Sequence, residues 1–378
     1  MRIGIDARLY GLEHAGLGRY VVNLVDELLK KSHRHQYTLF VTSKHVADFT
    51  PSERLKIVTV DIPVYSLREQ ILLPVIFKRE KLDLLHVPHF NAPILYPGKM
   101  LITIHDLIKH YSTGKETTTR APWLYQLKRF GYQTVISAVV NRANHLLTPT
   151  DYVKNDVVSK FKLNPDKVTV TYEAVGNHLK PVTLKDKEKK ALLQKHHLQQ
   201  PFIVYTGSVY PHKNVDLLLE AIKTHNQNKE VDLQLALICS RSVFWERLNL
   251  KIKTQNLSNS VKLLGFVDDA DISRLYSLAL ALVHPSKMEG FGLTGLEAMK
   301  LGLPVLSSNA TCLPEVYGDA ALYFDPNNLS ELVFLLENLI KDKDLRDSLI
   351  QKGYKQAQKY SWSKMAKETL AIYQKLLS

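Results

Sequence analysis

Cysteine is nearly absent: Cys239 and Cys312 are the two in 378 residues. Both stand among apolar or small residues, which argues against a disulfide framework and for two inert thiols in a reducing compartment. No apolar run reaches eighteen residues, so a transmembrane helix is not expected. Repeats and low-complexity tracts are also missing. The chain enters a strand-like run at once, Arg2-Ile3-Gly4-Ile5-Asp6, so no signal peptide is expected and the reading is cytoplasmic. Acidic residues are in the minority, 37 against 50 lysines and arginines, giving a net charge of +13. Such an excess suits nucleic acid, an anionic membrane surface or phosphorylated substrates, and charge alone does not choose. No nucleic-acid-reading motif accompanies it, so nucleic acid is not an expected partner.

What remains is an ordinary globular composition, 45% hydrophobic and 23% charged, in a chain too long for one core. Short apolar runs alternate with helical patterns throughout. In the first half they are Ile3–Asp6, Tyr37–Val41, Ile57–Val60, Leu84–Val87, Leu101–Ile104 and His145–Leu147, with helical stretches such as Gly18–Lys31 and Leu124–Arg142. The second half continues with Ile203–Tyr205, Leu233–Ile238, Val261–Leu263, Leu280–Val283 and Val305–Leu306. Runs apolar on both faces and separated by helices predict parallel sheets covered on both sides, hence two doubly wound α/β domains with ligands at the carboxyl ends of the strands. The Lys-rich segment Lys180–Gln200 is the expected boundary, and Trp362–Leu377 reads as an amphipathic helix.

The segment Glu289-Gly290-Phe291-Gly292-Leu293-Thr294-Gly295-Leu296-Glu297-Ala298 carries the most chemistry. A glycine loop opening a helix presents free N–H groups and the positive end of the helix dipole to an anion. Glu289 and Glu297 bracket that cradle, and a carboxylate accepting two hydroxyl hydrogens suits a sugar diol. The plainer alternative is a helix start with acidic residues offsetting its dipole. Gly16-Leu17-Gly18-Arg19 follows the first strand but is too short for a dinucleotide fingerprint. Thr103-Ile104-His105-Asp106 puts a histidine and an aspartate just past a strand, as a site or as a structural pair. The spacing of His86, His89 and His110 fits no helix-borne metal pair, so no metal is expected. Asp268-Asp269-Ala270-Asp271 precedes a helical run from Ile272 and reads as an N-cap with first-turn acids rather than a metal–diphosphate motif.

These residues resemble the glycosyltransferase family 4 pattern, two glutamates separated by seven residues with Gly-Phe-Gly after the first. Leu264-Gly265-Phe266-Val267, Leu275-Tyr276, His284-Pro285-Ser286, Leu313-Pro314-Glu315-Val316 and Tyr360-Ser361-Trp362 fall in the family's order. The resemblance implies the GT-B fold: two Rossmann-like doubly wound domains facing across a cleft. Residues 1–180 would bind the acceptor, 181–360 the nucleotide sugar, and helix 361–378 would return to complete the first domain. It implies catalytic roles for His105, Glu289 and Lys213. His105 and Glu289 would face the transferred sugar, with the amides of Gly290, Phe291, Gly292 and Leu293 beside it. Glu297 would hold the ribose hydroxyls, Lys213 the diphosphate, and Gly16, Gly18, Ser208 and Val267 would complete the donor site. Ser208 stands where the family often has an arginine, so His212 or Arg241 is expected to compensate, or the diphosphate is held more weakly.

The expected activity is thus retaining, metal-independent transfer of a hexose from a nucleotide sugar, with no cofactor, to a glycan or lipid-linked glycan. The Gly207–Asn214 sequence leans to GDP-mannose, with UDP-hexoses and dTDP-rhamnose open. Arg68, Lys78, Arg79 and Lys81 flank Ile71–Phe77, and Lys128 and Arg129 sit among Trp123, Tyr125, Phe130 and Tyr132. Such mixtures suit contact with an anionic membrane, or are solvated lysines on packed helices. A nucleotide-sugar epimerase of similar fold, a non-catalytic sugar-nucleotide binder and a nucleic-acid-binding α/β protein are the rival readings.

Overall fold

A computed structural model of the chain describes residues 1–31, 34–112, 121–176, 179–228 and 231–378. It divides into two units, the first built from Met1–Tyr111, Arg120–Glu173 and Ser361–Ser378, the second from Ala174–Tyr360. Among the described residues the first unit holds a seven-stranded sheet: β1 (Arg2–Asp6), β2 (Gln36–Val41), β3 (Leu55–Thr59), β4 (Leu84–Val87), β5 (Met100–Thr103), β6 (His145–Thr148) and β7 (Val168–Val170). Their spatial order is β3-β2-β1-β4-β5-β6-β7. The second unit holds β8 (Phe202–Thr206), β9 (Gln234–Ile238), β10 (Val261–Gly265), β11 (Leu282–His284), β12 (Val305–Ser308) and β13 (Ala321–Phe324), in the order β10-β9-β8-β11-β12-β13. Neighbouring strands pair in parallel throughout.

Each sheet reverses its winding once, between β1 and β4 in the first unit and between β8 and β11 in the second. Loops leaving adjacent strands on opposite faces open a crevice there, the place where doubly wound sheets hold ligands. The central strands are buried along their whole length, as in the BBBB patterns of β4, β5, β6 and β12. This is the structural counterpart of their uninterrupted apolar runs.

The helix Trp362–Leu377 belongs to the first unit. Its inner face is Trp362, Met365, Ala366, Thr369 and Tyr373; Leu370, Ile372 and Leu376 are half-buried. Tyr373 Oη bonds His86 Nδ1 at 2.7 Å, and the Trp362 ring meets Tyr20 edge-on at 6.2 Å. The Lys-rich stretch expected at the boundary contains the helix Asp186–Lys195, inside the second unit, and the chain passes to that unit after Glu173. Two strands lie outside the predicted runs, β7 and β13. Both lie at sheet edges: β7 is the three-residue Val-Thr-Val, whereas β13 is the apolar run Ala-Leu-Tyr-Phe.

Candidate active site

In the second unit the loops after β8 and β11 meet. Pro211–Lys213 forms a single 3₁₀ turn, and Asn214 leaves it in the left-handed region at φ 56°. Asn214 Nδ2 donates to the carbonyls of Pro285 at 3.2 Å and Pro326 at 2.8 Å, and Lys287 N donates to His212 O at 2.8 Å. These bonds fasten the lysine turn to the loop after β11. Lys213 Nζ thereby reaches Glu289 Oε1 at 2.6 Å. The same oxygen accepts from Ser286 Oγ at 2.7 Å and His284 Nε2 at 2.8 Å. Burial alone would raise the Glu289 pKa, but the Lys213 charge and the His284 bond hold it well below the usual carboxylate range. With Oε1 saturated, Oε2 takes no partner among the described residues. A carboxylate so held is an ionised acceptor with one oxygen left for hydroxyl donors.

The hydrogens of this network can be assigned. Tyr317 Oη lies 2.6 Å from Gly292 O, and a carbonyl only accepts, so the phenol proton goes there. His284 Nδ1, 2.8 Å from Tyr317 Oη, must then donate to it. His284 Nε2 lies 2.8 Å from Glu289 Oε1. Neither His284 nor Tyr317 stands out in the sequence as a site residue, because their role depends on contacts made only after folding.

Gly292 caps the helix Leu293–Lys300 at φ 92°. A Cβ there would lie 2.6 Å from Tyr317 Oη, and one on Gly295 would lie 2.2 Å from Tyr317 Cζ. The two glycines therefore leave room for the tyrosine that holds the carbonyl and histidine. The first turn of this helix follows directly on Glu289, so its unpaired N–H groups and dipole accompany the carboxylate. Glu297 lies half-buried on the same helix, and Val267 is buried just past β10. Ser208 O accepts from Tyr205 Oη at 2.5 Å. Arg241 lies 5.4 Å over the Trp245 ring, and His212 belongs to the lysine turn. The ring bonded to Glu289 beside Lys213 and Ser286 is that of His284. Asp268 caps the helix Asp269–Leu278 by accepting from Asp271 N at 2.8 Å, while Asp271 pairs with Lys195 and Arg274.

In the first unit His105 follows β5. Nδ1 donates to Glu173 Oε1 at 2.9 Å and Nε2 to Pro88 O at 3.1 Å. Burial opposes its charge, yet Glu173, the Pro88 carbonyl and Asp106 together raise its pKa. Both nitrogens are thus engaged, and the ring is stacked edge-on with Tyr20 at 4.5 Å. His86 bonds Thr103 as well as Tyr373, and its burial pushes its pKa down to about 3; His89 bonds Tyr65 Oη. Gly16 and Gly18 lie in the first turn of helix Ala15–Lys31. A Cβ on Gly18 would sit 1.8 Å from Gly11 O, whereas one on Gly16 would meet nothing. At the β1/β4 reversal, Arg8 is clasped by Asp6 through Nε at 2.8 Å and Nη2 at 2.7 Å, and by Glu69 at 2.6 Å.

Residues 14–176 match the family model described as glycosyltransferase family 4, and residues 186–356 the model described as glycosyl transferases group 1. The O-antigen chain mannosyltransferase B of Escherichia coli is 32% identical over 240 residues, 63% of this chain and 62% of that protein. The chain thus spans less than two thirds of that relative. The O-antigen chain mannosyltransferase RfbU of Salmonella typhimurium is 24% identical over 303 residues, 80% of this chain and 76% of that protein. Sucrose-phosphate synthase from Thermosynechococcus elongatus superposes with a TM-score of 0.76 over 100% of this chain and 99% of that one. At 18% identity that likeness speaks to fold. With one family model on each sheet and the paired glutamates on the second, the chain belongs to glycosyltransferase family 4 and has the GT-B fold.

Proposed function

We propose that this chain transfers a hexose from a nucleotide sugar to a hydroxyl of a glycan or lipid-linked glycan, with retention of the anomeric configuration. The observation that carries the reading is the ionised Glu289, fixed on one oxygen by Lys213, Ser286 and His284 at the opening of a glycine-capped helix. An anion-binding helix start, a lysine and a carboxylate with a free oxygen are what a sugar diphosphate requires. Lys213 and the Gly290–Leu293 amides would stabilise the leaving diphosphate in place of a divalent metal, and Glu297 would take the ribose hydroxyls. Two relatives are named mannosyltransferases, which supports mannose, and GDP-mannose as the donor.

Lys213 is bonded to Glu289 in the structure, so donor entry must divide the lysine between carboxylate and diphosphate. In the proposed reaction the acceptor oxygen forms a bond to the anomeric carbon as the diphosphate oxygen leaves from the same face. The acceptor's proton passes to that departing oxygen, so no carboxylate nucleophile of the kind retaining glycosidases use is needed. Glu289 positions the sugar through its second oxygen. We place the reaction in the cytoplasm beside an anionic membrane; no helix among the described residues is long and apolar enough to cross one.

Lys213→Ala and Glu297→Ala should each weaken nucleoside diphosphate binding by about 2 kcal/mol, roughly thirtyfold in Kd by calorimetry. Unchanged affinity in both would remove the donor site from these residues. Activity should survive EDTA, and the anomeric proton of the product from an α-linked donor should report an α linkage. A β-linked product would mean inversion and would require a separate general base.

A further inference from the structure

The loop leaving β1 does not enter helix Ala15–Lys31 by a relaxed path. Gly11 lies at φ 122°, Leu12–His14 make one 3₁₀ turn, and Ala15, at φ 52° and ψ −132°, joins that turn to the helix. An L side chain crowds the backbone there, so the turn persists only where its surroundings hold it. Gly18 seats it from the helix side, since a Cβ on that glycine would lie 1.8 Å from Gly11 O. The other side is held by the 3₁₀ stretch Ser43–Asp48, which follows β2. Glu13 Oε1 accepts from Lys44 Nζ and lies 3.0 Å from His45 Nε2, while His45 Nδ1 lies 2.7 Å from Asp48 Oδ2. The Tyr10 ring meets His45 edge-on at 5.5 Å and Phe49 at 4.9 Å, and His45 is left 12% exposed. Gly11 admits this contact, because a Cβ on it would lie 2.4 Å from Glu13 Oε2 and 2.6 Å from His45 Nε2.

One imidazole thus faces two carboxylates from two loops. An ionised carboxylate only accepts, so His45 serves both only with a hydrogen on each nitrogen. A neutral ring carries one hydrogen. Asp48 is three residues along the same stretch and at the shorter distance, so that hydrogen stays on Nδ1 and the lone pair of Nε2 is left facing Glu13. Loss of one proton therefore turns the contact between the loops from attraction to repulsion. Burial opposes the charge on His45, but Glu13 and Asp48 outweigh it and raise its pKa. Lys44 and His45 in turn hold the Glu13 pKa down at about 2. The other charged or titratable groups around the ring come from each neighbouring element. Asp61, beyond β3, accepts from Ser43 N at 2.8 Å, and His14 stands on the turn beside Glu13. Asp26 of helix Ala15–Lys31 lies with Asp48 near the Tyr10 phenol, whose pKa is pushed up to about 12, first by burial and then by those two charges.

We propose that Glu13, Lys44 and His45 form a pH-dependent clasp that positions the turn bearing Gly16 and Gly18 for the transfer reaction, closed while His45 is protonated and released as it loses that proton. The proposal rests on the transferase reading above, in which those glycines border the donor. A group whose pKa is raised on folding holds its contact fully below the unfolded value and loses it as pH rises through the folded one. In the full chain the turn is followed by hydrogen exchange of the amides of residues 10–18, corrected for the intrinsic effect of pH. Their protection in the parent should fall about tenfold between about pH 6 and about pH 9, and in His45→Gln and Glu13→Gln it should be low at both. GDP is the probe for the position of the turn. Its Kd by calorimetry should be about fivefold weaker in His45→Gln than in the parent at about pH 6, and equal at about pH 9. Taking the ratio at each pH removes the titration of GDP itself, and a purely structural loss would weaken the variant at both. The proposal is overturned if protection of the turn in the parent is independent of pH, or if its pH dependence survives in His45→Gln. It is also overturned if the affinity ratio is the same at both pH values. A parent chain that does not bind GDP overturns the GDP donor reading alone, and the exchange then decides the clasp.

Discussion

At the scale of single residues, the site is a problem in placing hydrogens. Glu289 Oε1 has three donors, and one of them, His284, is itself held by Tyr317. His284→Ala removes a bond to the carboxylate without removing Lys213. Turnover should therefore fall at least about tenfold while nucleoside diphosphate affinity stays near that of the parent. Affinity lost to the same extent as in Lys213→Ala would mean that His284 serves the diphosphate instead. His105 gives a pH prediction. Its pKa is raised in the folded chain, so its pairing with Glu173 contributes stability fully below the unfolded value and loses it as pH rises through the folded one. The Tm difference between parent and Glu173→Gln should accordingly be larger near about pH 6 than near about pH 9. A difference that grew toward alkaline pH would contradict the pairing. Glu289, Lys213 and His105 are candidates from the chain alone, through the family resemblance and, for His105, its place just past a strand. His284 and Tyr317 are not, since nothing local distinguishes a histidine that bonds a carboxylate from one that packs in a strand.

At the scale of elements, two glycines that look alike in sequence carry different constraints. Gly295 faces Tyr317 at 2.2 Å from a would-be Cβ, whereas Gly16 faces open space. Gly295→Ala should destabilise by about 1–3 kcal/mol through overpacking. Gly16→Ala should leave Tm unchanged or raise it, alanine being the better helix former by about 1 kcal/mol. If Gly16→Ala instead lowers activity at unchanged Tm, the open space at that turn is where a ligand approaches. Thermal melts and steady-state rates on the two variants decide the matter. The central strands follow directly from their apolar runs, which is why β1, β4 and β6 fall where the sequence puts them. The edge β7 does not, because the three residues Val-Thr-Val are too few to stand out as a run. The helix Asp186–Lys195 falls within the 181–360 half expected from the sequence. Its attachment runs through Lys195 to Asp271, seventy-six residues away.

At the scale of the whole molecule, the chain leaves the first unit at Glu173 and returns to it at Ser361. The returning helix supplies Tyr373 to His86, and Lys99 Nζ donates to Leu376 O at 2.8 Å. Ending the chain after Tyr360 should therefore raise amide exchange in β4 and helix Ala15–Lys31 while helix Leu293–Lys300 keeps its protection. Uniform loss in both units would show that the returning helix stabilises more than the unit it joins. The sequence by itself determined the alternation of strand and helix, the two doubly wound halves, the family and the paired glutamates, because periodicity and motif spacing are local properties of the chain. Only the tertiary structure decided that Lys213 lies against Glu289, that His284 rather than Arg241 stands beside it, and that His45 meets Glu13 from the neighbouring loop. Those outcomes depend on which loops meet at the carboxyl ends of the strands. That is set by contacts between residues far apart in the chain.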